Sequence, residues 1–441
     1  MSPLQTGHQV QLLQGAAELF PALIRAMDAA RQEVVLETYI FDFTATGADI
    51  GHALVRAAER GVRVRLMVDG VGTGQMPPEW QARLHAAGVR WQVFNAVGRL
   101  GLLQPSRWRR LHRKLCAIDA SGPQAVAFCG GINVLDDFYD PNHGPLSAPR
   151  FDFCVQITGP LVNEVSDACN RLWQRGSIVQ QLRAREFYAA LQGVQGVLKE
   201  SKAALFNYSA RVSSKVLTNA QTARYTANAI NADNADNTHN ATESTHSVKA
   251  ALLLRDNIKN RKLIERAYLK AIGSAHHEVL IANAYFLPGQ RLRRALIAAS
   301  QRGVKVQLLL QGKYEYFMQY HAARPIYSQL LAAGVEIYEY APSFLHAKVA
   351  VVDAETNKPW ATVGSSNLDP LSLLLAREAN VVVQNSGFAQ DLKARLVHAM
   401  ELEGKRIDPA LYAQRPLSQR ILDHLALGLM RIALWITGKR Y

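Results

Sequence analysis

Two kinds of hydrophobic run alternate along most of the chain. Short apolar stretches rich in β-branched residues, such as EVVLETYIF (33–41), RGVRVRLMVDG (60–70) and AAGVRWQVF (86–94), predict strands. Between them lie segments of roughly 12 to 18 residues with apolar positions three and four apart, which predict helices. The strand runs are nearly continuous in apolar character, not strictly alternating, so both faces are covered. The fold class is therefore α/β, with sheets flanked by helices.

The same order returns in the second half as EVLIANAYF (278–286), a helical stretch, RGVKVQLLLQG (302–312) and AAGVEIYEY (332–340). A repeat of this length predicts duplicated domains packed about a pseudo-twofold axis. Residues 1–185 and 251–410 are read as the two copies, and 186–250 as a connecting segment. Within it, residues 211–247 are dominated by Asn, Ala and Thr, with few large apolar groups to offset ordering entropy, and predict a flexible insertion. Helical spacing resumes over LLLRDNIKNRKLIERAYLKAI (252–272).

Residues 411–441 read as an amphipathic tail. Asp423, His424 and Arg431 interrupt its apolar residues, so it predicts a helix along a surface, with Leu425, Leu427, Leu429, Leu434 and Trp435 available to a membrane headgroup plane. No apolar run approaches the ~18 residues of a membrane span. The start, MSPLQTGHQVQLL, lacks a basic stretch before an apolar core, so no secretory signal is expected.

Charge narrows the partners. In 441 residues, 50 Lys and Arg against 36 Asp and Glu leave a formal +14. Such a surface suits phosphates, whether of nucleic acid or of anionic lipid. The four cysteines, Cys116, Cys129, Cys154 and Cys169, have no metal-site spacing and predict buried thiols in a reducing compartment.

The sharpest feature is a repeated phrase: LHRKLCAIDA (111–120) returns as LHAKVAVVDA (345–354). On a strand, residues two apart share a face, so His112 lies with Lys114 and His346 with Lys348. Asp119 and Asp353 stand at an odd offset from their histidines. Each must point away or end its strand, and both are assigned to structure. Beyond turn-forming residues come Gly130, Gly131 and Asn133 in one copy and Gly364, Ser365 and Asn367 in the other, so each copy predicts a hairpin with an asparagine past its second strand. Imidazole, ammonium and amide together handle phosphate, and Asn133, Asn367 and Ser365 are candidate phosphate ligands. Displacement at a phosphodiester needs one histidine to attack phosphorus and one to protonate the leaving alkoxide. Two copies around one shared active site supply both, which gives the duplication a purpose.

These residues resemble the phospholipase D superfamily, whose signature, His-x-Lys-x4-Asp followed by Gly-Gly/Ser-x-Asn, stands here twice. The resemblance implies metal-free catalysis without a cofactor by the motif residues His112, Lys114, Asp119, His346, Lys348 and Asp353. It implies a phosphohistidine on His112 and acid/base work by His346, with the reverse assignment open. It also implies that Asp152 and Glu378 orient the histidines. Over FPALIRAMDAARQEVVLETYIF, RRLHRKLCAID and WATVGSSNLDPLSL the chain is similar to the bacterial cardiolipin synthases of B type. That likeness implies transfer of a phosphatidyl group between phosphatidylglycerol molecules, or from another phospholipid donor, with release of glycerol. It further implies peripheral attachment to the cytoplasmic face of a bacterial cell membrane, with no nucleic acid as partner. Arg107, Arg109, Arg110 and Arg113, clustered with Trp108, are the candidate headgroup contacts. A hydrolytic phospholipase D, a nuclease or other phosphodiesterase, and a non-catalytic binder of anionic membranes remain the alternatives.

Overall fold

Val34, Val35 and Leu36 are all buried although successive strand residues point to opposite faces, so the sheet that holds them is covered on both sides. The computed structural model describes residues 4–96, 109–141, 143–178, 247–256, 260–314, 317–369 and 376–436. The connecting segment, up to residue 246, lies almost wholly outside the described residues.

The first half contributes β1 (Gln5–Gln14), β2 (Glu33–Thr38), β3 (Arg63–Asp69), β4 (Arg90–Phe94), β5 (Arg110–Leu111), β6 (Lys114–Ile118), β7 (Val126–Gly130), a small ribbon of β8 (Tyr139–Asp140) and β9 (Gly144–Pro145), and β10 (Phe153–Thr158). The second half contributes β11 (Val248–Arg255), β12 (Glu278–Asn283), β13 (Lys305–Gln311), β14 (Glu336–Tyr340), β15 (Lys348–Val352), β16 (Trp360–Gly364), β17 (Ala376–Gln384) and β18 (Gly404–Arg406). The order in the first half is β1-β10-β7-β6-β2-β3-β4, and in the second β11-β17-β16-β15-β12-β13-β14. The two orders correspond strand for strand. Antiparallel pairing of β1 with β11 joins them into one sheet.

Alternating side chains feed different cores. Leu115 and Ala117 of β6 and Val349 and Val351 of β15 meet in one cluster drawn from both halves. Cys116 and Ile118 instead pack under the helices Gly15–Ala29, Ala45–Glu59 and Pro78–Ala86 of the first half. Ala350 and Val352 do the same under Leu263–Gly273, Gln290–Gln301 and Phe317–Ala332 of the second. These helices form where the apolar spacing places them: Leu292, Leu296 and Ala299 are the buried positions of Gln290–Gln301. All four cysteines are buried free thiols.

The structure corrects one element. Residues 252–255, read as the start of a helix, belong to β11, and the helix begins at Leu263. The run ALLLR is apolar on both faces because Leu252 packs in the shared core and Leu253 under the helices of the second half, and such a run carries no period of its own. The tail forms the helix Leu417–Ile436, docked on Phe317–Ala332, and no described helix is long and apolar enough to cross a membrane.

Candidate active site

Each histidine stands just ahead of its strand, and a short parallel pairing ties it to the opposite half. Leu111 of β5 registers with Arg377 of β17, and the His112 N–H donates to the Arg377 carbonyl at 3.1 Å. On the other side Leu345 bridges Phe151, and the His346 N–H donates to the Phe151 carbonyl at 2.9 Å. The residue after each acceptor is a carboxylate. His112 Nδ1 lies 3.1 Å from Glu378, and His346 Nδ1 lies 2.6 Å from Asp152. Each half thus supplies one histidine and orients the other half's, so the two motifs make one site.

Nδ1 of His112 also faces the Ser365 carbonyl at 3.1 Å. With two acceptors there, the neutral ring carries its proton on Nδ1 and keeps the lone pair on Nε2, the nucleophilic form. Lys114 Nζ donates to the His112 carbonyl at 2.7 Å, and Lys348 Nζ to the His346 carbonyl. Both lysines are almost wholly buried. Burial, and after it the neighbouring Lys348 ammonium, brings Lys114 down to about 7. Burial, then Lys348 and Lys114, holds His346 well below its ordinary value. His112 is lowered too, since burial outweighs the attraction of Glu378. A phosphodiester anion seated among these groups favours their protonated forms and reverses that pressure.

The motif aspartates are a correction to the catalytic set. Asp119 accepts from the backbone N–H groups of Arg31, Gln32 and Glu33 at 2.7, 2.8 and 2.8 Å. Asp353 does the same for His276, His277 and Glu278 at 2.9, 2.8 and 3.0 Å. Both have positive φ, 47° and 51°, where each strand ends. They fasten the strand carrying histidine and lysine to the start of β2 or β12, and touch no reacting group.

Ser365 is also corrected. Its hydroxyl donates to Glu378 at 2.5 Å and accepts from the Ala379 N–H at 3.1 Å, so it holds the carboxylate and is no phosphate ligand. The counterpart, Gly131, has no side chain because a Cβ would lie 2.4 Å from the Asp152 carboxylate. Asn133 accepts from the Ile40 N–H at 3.2 Å, which leaves its amide NH₂ to donate. Asn367 is buried just past β16 in the corresponding place.

The arginine cluster comes apart. Arg113 is buried and pairs with Glu37 through Nε at 2.5 Å and Nη2 at 2.9 Å, with a further bond to the Ala168 carbonyl. Arg110 bonds Asp69 at 3.0 Å and anchors β5. Arg109 is exposed, and Arg107 and Trp108 lie outside the described residues. The positive charge acting on His346 comes from Lys348, Lys114, His112 and Arg150. In the second copy Ala282 and Ala347 replace Glu37 and Arg113, both inside the shared core. Arg113→Ala should therefore cost about 3–5 kcal/mol by stranding a buried carboxylate, and adding Glu37→Ala should recover at least ~1 kcal/mol, measured by urea unfolding.

The sequence reading missed Tyr39. Its ring centre lies 5.0 Å from that of His112, and Lys114 Nζ sits 5.5 Å over the ring. Nothing in EVVLETYIF separates it from a core aromatic.

The family model described as "Cardiolipin synthase, PLD-like domain" matches residues 23–143 and 268–400, which contain both histidine motifs. The chain belongs to this family. It is 32% identical over 409 residues to cardiolipin synthase B of Escherichia coli K12, covering 93% of this chain and 84% of that one. Cardiolipin synthase A of Salmonella arizonae is 26% identical, over 95% of this chain and 74% of that one. Among solved structures, a phosphatidylserine synthase of Haemophilus influenzae superposes with a TM-score of 0.61 at 12% identity, covering 98% and 95% of the two chains. That likeness is one of fold.

Proposed function

We propose that this chain is a cardiolipin synthase that moves a phosphatidyl group from one phosphatidylglycerol, or another phospholipid donor, to the glycerol headgroup of a second. The crossed His112–Glu378 and His346–Asp152 pairs carry the reading, because one phosphodiester between them meets a nucleophile and an acid from opposite halves. His112 Nε2 attacks phosphorus while His346 protonates the departing glycerol oxygen. His346 then takes the proton of the incoming glycerol hydroxyl, whose oxygen displaces His112. One phosphodiester is exchanged for another, so no nucleotide is needed. Lys114 and Lys348, with the amide of Asn133, stabilise charge on the phosphoryl oxygens. Phosphatidylglycerol vesicles with EDTA and no nucleotide should yield cardiolipin and glycerol in equal amounts. Phosphatidic acid as main product would make the chain a hydrolase, and loss of activity on chelation would contradict the mechanism.

The helix Leu417–Ile436 supports attachment at a membrane surface, which we place on the cytoplasmic face. Leu417, Ile421, Leu425, Leu429 and Ile432 are 56–71% exposed along one side. Asp423, Ala426 and Leu427 are buried on the opposite side, so Leu427 leaves the expected membrane face. The side chains of Leu434 and Trp435 lie outside the described residues. Exposed Arg420 and Arg431 flank the apolar stripe, a pattern suited to anionic headgroups. Ile421→Glu with Leu425→Glu should weaken sedimentation with phosphatidylglycerol vesicles about tenfold or more. Unchanged binding would move the membrane contact elsewhere.

A further inference from the structure

Arg255 is the largest fully buried side chain among the described residues, 1% exposed, and its Nε, Nη1 and Nη2 have no hydrogen-bond partner there. A buried guanidinium left so is costly unless it acts on a nearby charge. It closes β11, where its register partner on β17 is Glu378. Directly opposed residues of an antiparallel pair present their side chains on one face, with Cβ atoms roughly 4.5–5.5 Å apart. The carboxylate is itself unevenly used: Oε2 takes the hydrogen bonds from His112 and Ser365, while Oε1, also 3.1 Å from His112 Nδ1, accepts no hydrogen bond. A cation without a hydrogen bond and the carboxylate that holds His112 thus share one dry face, where charges are weakly screened.

The equivalent place in the first half is built with the opposite sign. The register Gln14↔Phe153 brings Gly15 opposite Asp152, and the Gly15 N–H donates to the Asp152 carbonyl at 2.9 Å. No side chain stands there. The space belongs to Asp137, whose Oδ2 accepts from the Ala16 N–H at 2.5 Å and would lie 3.0 Å from a Cβ on Gly15. One orienting carboxylate has a cation beside it and the other a second carboxylate.

We propose that Arg255 is a positioning residue that keeps Glu378 anionic behind His112, and that Asp137 leaves Asp152 sharing a proton with His346, so that the two halves divide the roles of nucleophile and acid/base. The proposal rests on the two-histidine reading above. The directions agree. Glu378 is held below the usual carboxylate range by His112, Lys114 and Ser365 although burial opposes it, and Arg255 adds a further positive charge on the same face. Asp152 is pushed up to about 7, mainly by burial and against Lys348 and Lys114, with Asp137 adding to the rise. Arg255 itself is brought down to about 10 by burial, with Glu378 the leading opposing influence, then Asp369. The groups acting on Glu378 are therefore Arg255 on β11, His112 and Lys114 at the start of β6, and Ser365 past β16, with Asp369, Arg261 and Asp256 also acting on Arg255.

The test follows the ring titrations of His112 and His346 in ¹⁵N-histidine-labelled full-length protein, wild type against Arg255→Met, with thermal melting as the check on folding. The His112–Glu378 pair should titrate about one unit higher in Arg255→Met, while His346 moves by less than about a third of that. Arg255→Lys, which keeps the charge, should stay near wild type, and Arg255→Gln replaces the methionine variant if that one does not fold. Product formation at pH 6 should fall about tenfold in Arg255→Met and recover towards pH 8. A folded uncharged variant with an unmoved His112 titration, or equal shifts of both histidines, overturns the proposal. The titrations need no turnover, so a failed lipid assay and a failed charge partner are separate results.

Discussion

His112→Ala and His346→Ala should each lower cardiolipin formation by ~10⁴-fold or more, because the single site needs both attack on phosphorus and protonation of the leaving oxygen, and each variant removes one of them. Neither motif can substitute for the other, since each histidine depends on a carboxylate that the opposite half supplies. The double variant should be no worse than the more damaged single one. Side chains that act as a unit are not additive, and a site assembled across two halves fails as a whole. Half the activity surviving in either single variant would mean two independent sites, and quantification of cardiolipin by mass spectrometry distinguishes these cases.

The second large effect concerns the carboxylates. Glu378→Gln should reduce kcat by about 10²–10⁴-fold with little change in KM, because an amide can present its NH₂ to Nδ1 and turn the ring to the wrong tautomer. Asp152→Asn should do the same through His346. The crossing gives each a distinct signature. Glu378→Gln should slow formation of the covalent intermediate even from a substrate whose leaving group needs no proton, whereas Asp152→Asn should slow only reactions that require the acid. Identical behaviour of the two variants on such a substrate would contradict the assignment. Stopped-flow release of nitrophenol from a nitrophenyl ester of phosphatidic acid reads the difference.

The repeated phrase points to phosphate chemistry through its spacing: histidine, lysine and asparagine recur with a strand and a turn between them. The odd offset of Asp119 and Asp353 also placed them off the histidine's face. What spacing could not convey was who pairs with whom. His112 meets Glu378 across 266 residues and His346 meets Asp152 across 194, through two short parallel pairings that no local pattern announces. Arg113 and Ser365 were misplaced for the same reason. Each looked like a free polar group in a phosphate-binding loop, and each is held by a carboxylate distant in sequence, Glu37 and Glu378 respectively. Leu427 shows the limit of a helical wheel: the tail has two apolar faces, and only packing on Phe317–Ala332 decides which is covered.

A covalent intermediate on one histidine of a shared pair is the centre of this account, and a burst experiment addresses it most directly. The nitrophenyl ester is offered to His346→Ala and to His112→Ala, and released nitrophenol is compared with enzyme concentration. His346→Ala should release close to one equivalent and retain a phosphatidyl group on His112, found by mass spectrometry of a digest, while His112→Ala releases none. A burst from His112→Ala alone would reverse the roles, and no covalent adduct in either variant would contradict the phosphohistidine mechanism itself.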